Sequence, residues 1–142
     1  MTKFILIEPS IRTVRNVECD KINAALEAVG LRYGEVDHGM ISPTLGIVVH
    51  EFSMFVRPEM QTYNAINGRL YAGNAVVYGV GERGETIDAM EAYTFGTACH
   101  FLHSEQEVER AIAQGVVMRP QMSIDEQIIW QWPAPAPAGV MR

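Results

Sequence analysis

Phe4-Ile5-Leu6-Ile7-Glu8-Pro9, then Thr13-Val14-Arg15-Asn16-Val17-Glu18, then Asp20 through Gly30: the fold class is decided in these three neighbouring stretches. The first is a short apolar run stopped by a proline, which reads as a buried first strand. The second alternates weakly and reads as its hairpin partner. In the third, Asp20 stands as an N-cap before the stripe Ile22, Ala25, Leu26 and Val29, and Gly30 follows as the C-terminal stop. A hairpin packed by a helix predicts an α+β domain.

Working outward, Arg32 to Asp37 and Leu45 to Val49 read as strands around a Gly39 and Pro43 turn region, with Phe52 to Val56 extending the second up to Pro58. Asn67-Gly68 leads into Arg69 to Val80, a long β-friendly run interrupted at Gly73-Asn74, where a bulge or a bend is expected. Ser104-Glu105-Gln106-Glu107 is a capping box, with Val108, Ala111 and Ile112 on one helical face and Gly115 as the stop. Ile124 to Trp132 reads as a last strand. The expected architecture is therefore a mixed or antiparallel sheet packed by two helices, at Asp20–Val29 and Glu105–Gln114. Residues 1–132 form a single domain in this reading, and residues 133–142 a Pro/Ala-rich tail in polyproline II conformation.

The chain has 142 residues, enough for one hydrophobic core, and 48% of them are hydrophobic, which excludes the low-hydrophobicity disordered class. Its 11 basic residues against 17 acidic ones give a net charge of -6. Such a field repels polyanions, so duplex nucleic acid is not an expected partner. Cys19 and Cys99 read as free thiols of a reducing compartment. Neither the N-terminal apolar run nor any other stretch reaches the length of a signal core or a membrane span, which makes cytoplasm the expected location.

Four patterns invite chemistry. Gly79-Val80-Gly81-Glu82-Arg83-Gly84 matches the dinucleotide fingerprint, but the sequence after it does not open a helix, so a Gly-rich β-turn is the better reading. Cys99-His100-Phe101-Leu102-His103 gathers soft and borderline metal ligands, yet a fourth ligand is missing nearby unless His38 or His50 is brought in, and packing or capping roles are favoured. Neither His103-Ser104 nor His50-Glu51-Phe52-Ser53 has the His-x-Ser/Thr spacing of a two-histidine phosphoesterase. Glu105, Glu107 and Glu109 read as a solvated face at a helix start.

The remaining pattern is an Arg and aromatic set. Nine of the basic residues are arginines, the side chain suited to planar, bidentate contacts. Arg57, Arg69 and Arg83, with Phe55 and Tyr71, are the expected ligand-binding residues for a small anionic or nucleotide-like ligand. Strand alternation places Arg69 and Tyr71 on one face. No cofactor, metal or catalytic residue is expected.

Ile5-Leu6-Ile7-Glu8-Pro9, the helix ending Ala28-Val29-Gly30, and the run from Gly68-Arg69-Leu70-Tyr71-Ala72-Gly73-Asn74 to Gly84-Glu85-Thr86 together resemble a family of short phage, prophage and plasmid proteins of unknown function. The resemblance covers residues 3 to about 90 and rests on structural glycines and apolar strands. It implies an accessory protein acting inside a host bacterium, in the manner of counter-defence proteins that sequester a nucleotide signal or mask a host protein. A phosphodiesterase-type enzyme is a third alternative. Homo-oligomerisation through the tail or the Trp130/Trp132 strand completes the expectations.

Overall fold

The computed structural model describes residues 1–51, 62–64, 68–122 and 128–131. Phe4 to Ile7 do form a strand, β1 (Thr2–Glu8), and a proline-led 3-10 turn carries it into β2 (Thr13–Cys19). The two pair antiparallel from Thr2↔Cys19 to Glu8↔Thr13. Helix α1 (Ile22–Ala28) follows, closed by Gly30 at φ +73°. Its N-cap residue is Lys21 rather than Asp20, and no side chain caps it. The carbonyl of Val29, just past its end, accepts instead from Asn74 Nδ2 at 2.9 Å.

The expected strand at Arg32–Asp37 is different. Tyr33–Glu35 make a 3-10 turn, and β3 (Val36–Ser42) starts where the extended residues begin. β3 pairs antiparallel with β4 (Leu45–His50), with a bulge between Met40 and Ser42. The run from Arg69 to Val80 divides at Gly73, φ +78°, into β6 (Leu70–Ala72) and β7 (Ala75–Val80). This is a change of sheet rather than a bulge in one strand. β7 joins a main sheet ordered β2-β1-β7-β4-β3, whereas β6 joins a small sheet with β5 (Thr62–Asn64) and β9 (His100–Leu102). A short strand, β8 (Thr86–Ile87), continues the β1 edge of β7. Every strand pair among the described residues is antiparallel.

The main sheet is covered on both faces, which is why Phe4 to Ile7 read as an unbroken apolar run: Phe4 and Leu6 serve one face, Ile5 and Ile7 the other. Phe4, Leu6, Val48 and Val76 meet Ala25 and Leu26 of α1. Ile5, Ile7, Ile47 and Val77 meet Tyr71, Cys99 and Phe95, the last from a short helix α2 (Ala92–Gly96). Each fully buried side chain of this size contributes roughly 1.5–3 kcal/mol. Tyr78 lies on the α1 face, its ring folded over Gly46, where any Cβ would collide with it.

Helix α2 was not anticipated, having no cap signal of its own. Asn16 of β2 supplies the anchor from outside. Its carboxamide oxygen accepts from Ala92 N–H at 2.8 Å, and its nitrogen donates to the carbonyls of Met90 and Phe4, both at 3.2 Å. A third cluster is built by α3 (Glu105–Ala113), whose Ala111 and Ile112 pack on Leu70, Leu102 and Val117. Two further strands, β10 (Arg119–Met122) and β11 (Ile128–Gln131), pair with each other. The rest of the expected last strand, with Trp132, and the tail at 133–142 lie outside the described residues, as does Phe52 to Val56. No helix among the described residues is long and apolar enough to cross a membrane.

Replacing Asn16 by Ala leaves the Ala92 N–H and the Met90 carbonyl without their partner, at a cost of about 2–3 kcal/mol. Urea titration should show a lower midpoint with an unchanged m-value.

Candidate functional site

The glycine fingerprint closes a hairpin. Gly81 N–H donates to Glu85 O at 2.8 Å and Gly84 N–H to Gly81 O at 2.9 Å, and the chain returns as β8 instead of opening a helix. The turn reading holds. Arg83 stands exposed at this tip, beside a hollow of about 560 Å³ lined also by Thr44, Glu82 and Glu85. Its own N–H donates to the Glu85 carboxylate at 2.9 Å. With two carboxylates and one guanidinium lining it, this hollow is not favourable to an anion.

The other members of the Arg and aromatic set occupy different surroundings. Tyr71 is 4% exposed and packs in the core with Ile5 and Phe95. Arg69 is exposed just ahead of β6, in which Leu70, Tyr71 and Ala72 are all buried. Arg57 and Phe55 lie outside the described residues.

The Cys99–His103 motif is dispersed by the strand it forms. Cys99 is buried in the main core, and desolvation pushes its thiol up to about 12. His100 is exposed. His103 precedes the α3 cap, where its ring accepts from the Arg12 guanidinium through Nδ1 at 3.3 Å. His38 sits on β3 with its ring edge against Tyr78, and His50 ends β4 near Glu35. Among the described residues, no three His, Cys, Asp or Glu side chains gather closely enough to hold a metal ion.

Helix α3 starts as its capping box dictates. Ser104 Oγ accepts from Glu107 N–H at 3.1 Å, and the Glu107 carboxylate reaches back to the N–H of His103 at 2.5 Å, one residue ahead of the cap. Further along, Glu109 takes both arms of Arg119 from β10, at 3.0 and 2.7 Å. That pairing holds the Glu109 carboxyl below its ordinary range. The residues read as a solvated acidic face are thus partly structural.

Between α3 and β9 lies a cleft of about 240 Å³. Leu102, Ala111 and Val116 give it apolar walls, Phe101 an aromatic one, and His100, Glu107, Arg110 and Gln114 polar groups. Arg110 is exposed in the last turn of α3 and forms no ion pair with a described residue. This arrangement escaped sequence reading because its parts come from two segments. Phe101 lay inside a motif weighed for metal, and Arg110 stood alone among glutamates. The helical spacing of Glu107, Arg110, Ala111 and Gln114 was the available signal.

Comparison with family models, with curated proteins and with solved structures yields no match for this chain.

At pH 8, a thiol reagent should modify Cys19, which is half-buried, and spare Cys99 until denaturant is added. The expected count is one equivalent folded and two unfolded. Because the Cys99 thiol is raised on folding, its contribution to stability is complete below the unfolded value of roughly 8.5 and fades as pH climbs toward 12. Rapid reaction of two equivalents in buffer would contradict this placement.

Proposed function

We propose that the chain is a non-catalytic binding module that sequesters a small anionic, ring-bearing ligand of nucleotide type in the cleft between β9 and α3. The observation that carries this reading is the Arg110 guanidinium, without an ion pair among the described residues, at a cleft with apolar and aromatic walls. Arg forms charge-assisted, bidentate contacts with phosphate, and a flat ring gains from lying against Phe101 or the guanidinium plane. Gln114 adds an amide at the same cleft for the polar edge of such a ring.

The set Arg57, Arg69, Arg83, Phe55 and Tyr71 is a weaker basis for the same function, since Tyr71 belongs to the core and Arg83 shares its hollow with Glu82 and Glu85. Burial holds the Cys99 thiol protonated, which makes it unsuited to act as a nucleophile. The resemblance of residues 3 to about 90 to phage and plasmid proteins supports a setting in which the ligand is a host defence signal. Masking of a host protein is the competing role.

Incubation with a panel of mononucleotides and cyclic nucleotides, followed by heat denaturation and chromatography of the supernatant, tests the proposal. Sequestration predicts depletion of one nucleotide and its intact release on heating. Arg110→Ala should weaken that binding at least tenfold by calorimetry without altering the fold. An altered product would mean an enzyme. Full affinity in Arg110→Ala, or depletion of nothing, would remove the cleft as the site.

A further inference from the structure

The main sheet ends on β2 at one side and β3 at the other. The two edges differ. β2 is flanked by helices, α1 and α2, and carries Arg15 and Glu18 exposed along it. β3 has no helix packed on it comparably, since α1 lies over β2, β1 and β7. Its backbone pairs with β4 alone among the described residues, and from Val36 to Met40, ahead of the bulge, it has neither Lys nor Pro and a single carboxylate, Asp37. Met40 on this strand is 49% exposed, one of six exposed large apolar side chains among the described residues.

We infer that this edge is covered by a second copy of the chain, β3 pairing antiparallel with β3 across a two-fold axis at His38. The choice of register follows from the residues. A two-fold axis perpendicular to a continuous sheet pairs residues whose side chains share a face. Centred on Asp37, it would set two carboxylates directly opposite each other, a destabilising pair. Centred on Gly39, it would set Asp37 against Ile41, which is buried and lies in the bulge. Centred on His38, the segment Val36–Met40, which lies in regular register ahead of the bulge, pairs with itself. Val36 then meets Met40 of the second copy and covers its apolar surface. Asp37 meets Gly39 of the second copy, whose missing side chain leaves the carboxylate open to water. His38 meets its own counterpart. The main sheet thereby runs on through both copies.

Only a few residues per copy engage, and each copy carries a net charge of -6, so the dimer is weak and concentration-dependent. Sedimentation velocity over a wide concentration range should show the mass doubling for the wild type and staying monomeric for Met40→Lys, which puts a charge on the edge. Met40 is exposed, and circular dichroism checks that the fold is kept. Register is read by cross-linking in a Cys19→Ser background. Under mild oxidation His38→Cys should form an intermolecular disulfide, whereas Met40→Cys should do so only in combination with Val36→Cys. A monomeric wild type at every concentration overturns the inference. So does a dimer indifferent to Met40→Lys, or cross-linking of Met40→Cys alone in preference to His38→Cys.

Discussion

Strand β7 has hydrogen-bonding obligations on both edges. Ala75–Val77 pair with β1 and Gly79–Val80 with β8 along one edge, while Ala75–Gly79 face β4 along the other. Water has no access to discharge these groups, so each neighbour must arrive in register or leave a buried amide unpaired. Its side chains are equally constrained: Val76 fills the α1 face and Ala75 and Val77 the opposite one. Gly79 is required because a Cβ there would collide with the carbonyl oxygen of Asp88, where the chain leaves β8 on its way to α2. That departure is fixed at Lys3 of β1, whose N–H donates to the Asp88 side chain at 2.9 Å and whose carbonyl accepts from Ala89 at 2.8 Å. Packing of the sheet on both sides follows from this one strand.

What the sequence made legible were the elements governed by local chemistry. The Pro9 stop, the capping box at Ser104 and the glycine-rich turn after Val80 each act within a few residues, and each appears where its residues place it. What stayed hidden depended on distant partners. Asn16 looks like an ordinary strand residue, yet it anchors a helix 76 positions away. Gly73-Asn74 announces a break, but only the pairing of β6 with β5 shows that the chain changes sheets. Tyr71 was grouped with arginines for its aromatic character, a property that does not distinguish a core ring from a ligand platform. The cleft beside Arg110 likewise exists only once α3 is laid against β9.

Polar side chains in this fold act mainly as fasteners. Asn16 fixes α2, Asn74 finishes α1, Glu107 steadies the entry to α3 and Glu109 ties it to β10. Lys3 and Glu91 form an ion pair near the Asn16 anchor, in which hydrogen bonding to Glu91 first and its charge second hold the ammonium protonated. Arg110, like Arg32 and Arg83, forms no ion pair with a described residue, and what distinguishes it is its place at a cleft with an aromatic wall.

The pairing of Ile5 with Val77 joins positions about seventy residues apart, and closing so long a loop is entropically costly before any contact rewards it. The β1–β2 hairpin can form as soon as those residues are synthesised, but its Phe4–Ile7 stretch then waits for β7 with one strand edge open. Non-local pairing of this kind slows folding and prolongs the exposure of an aggregation-prone segment. The newborn chain is therefore most vulnerable between completion of its first hairpin and arrival of its central strand, and expression temperature or chaperone supply would act in that interval.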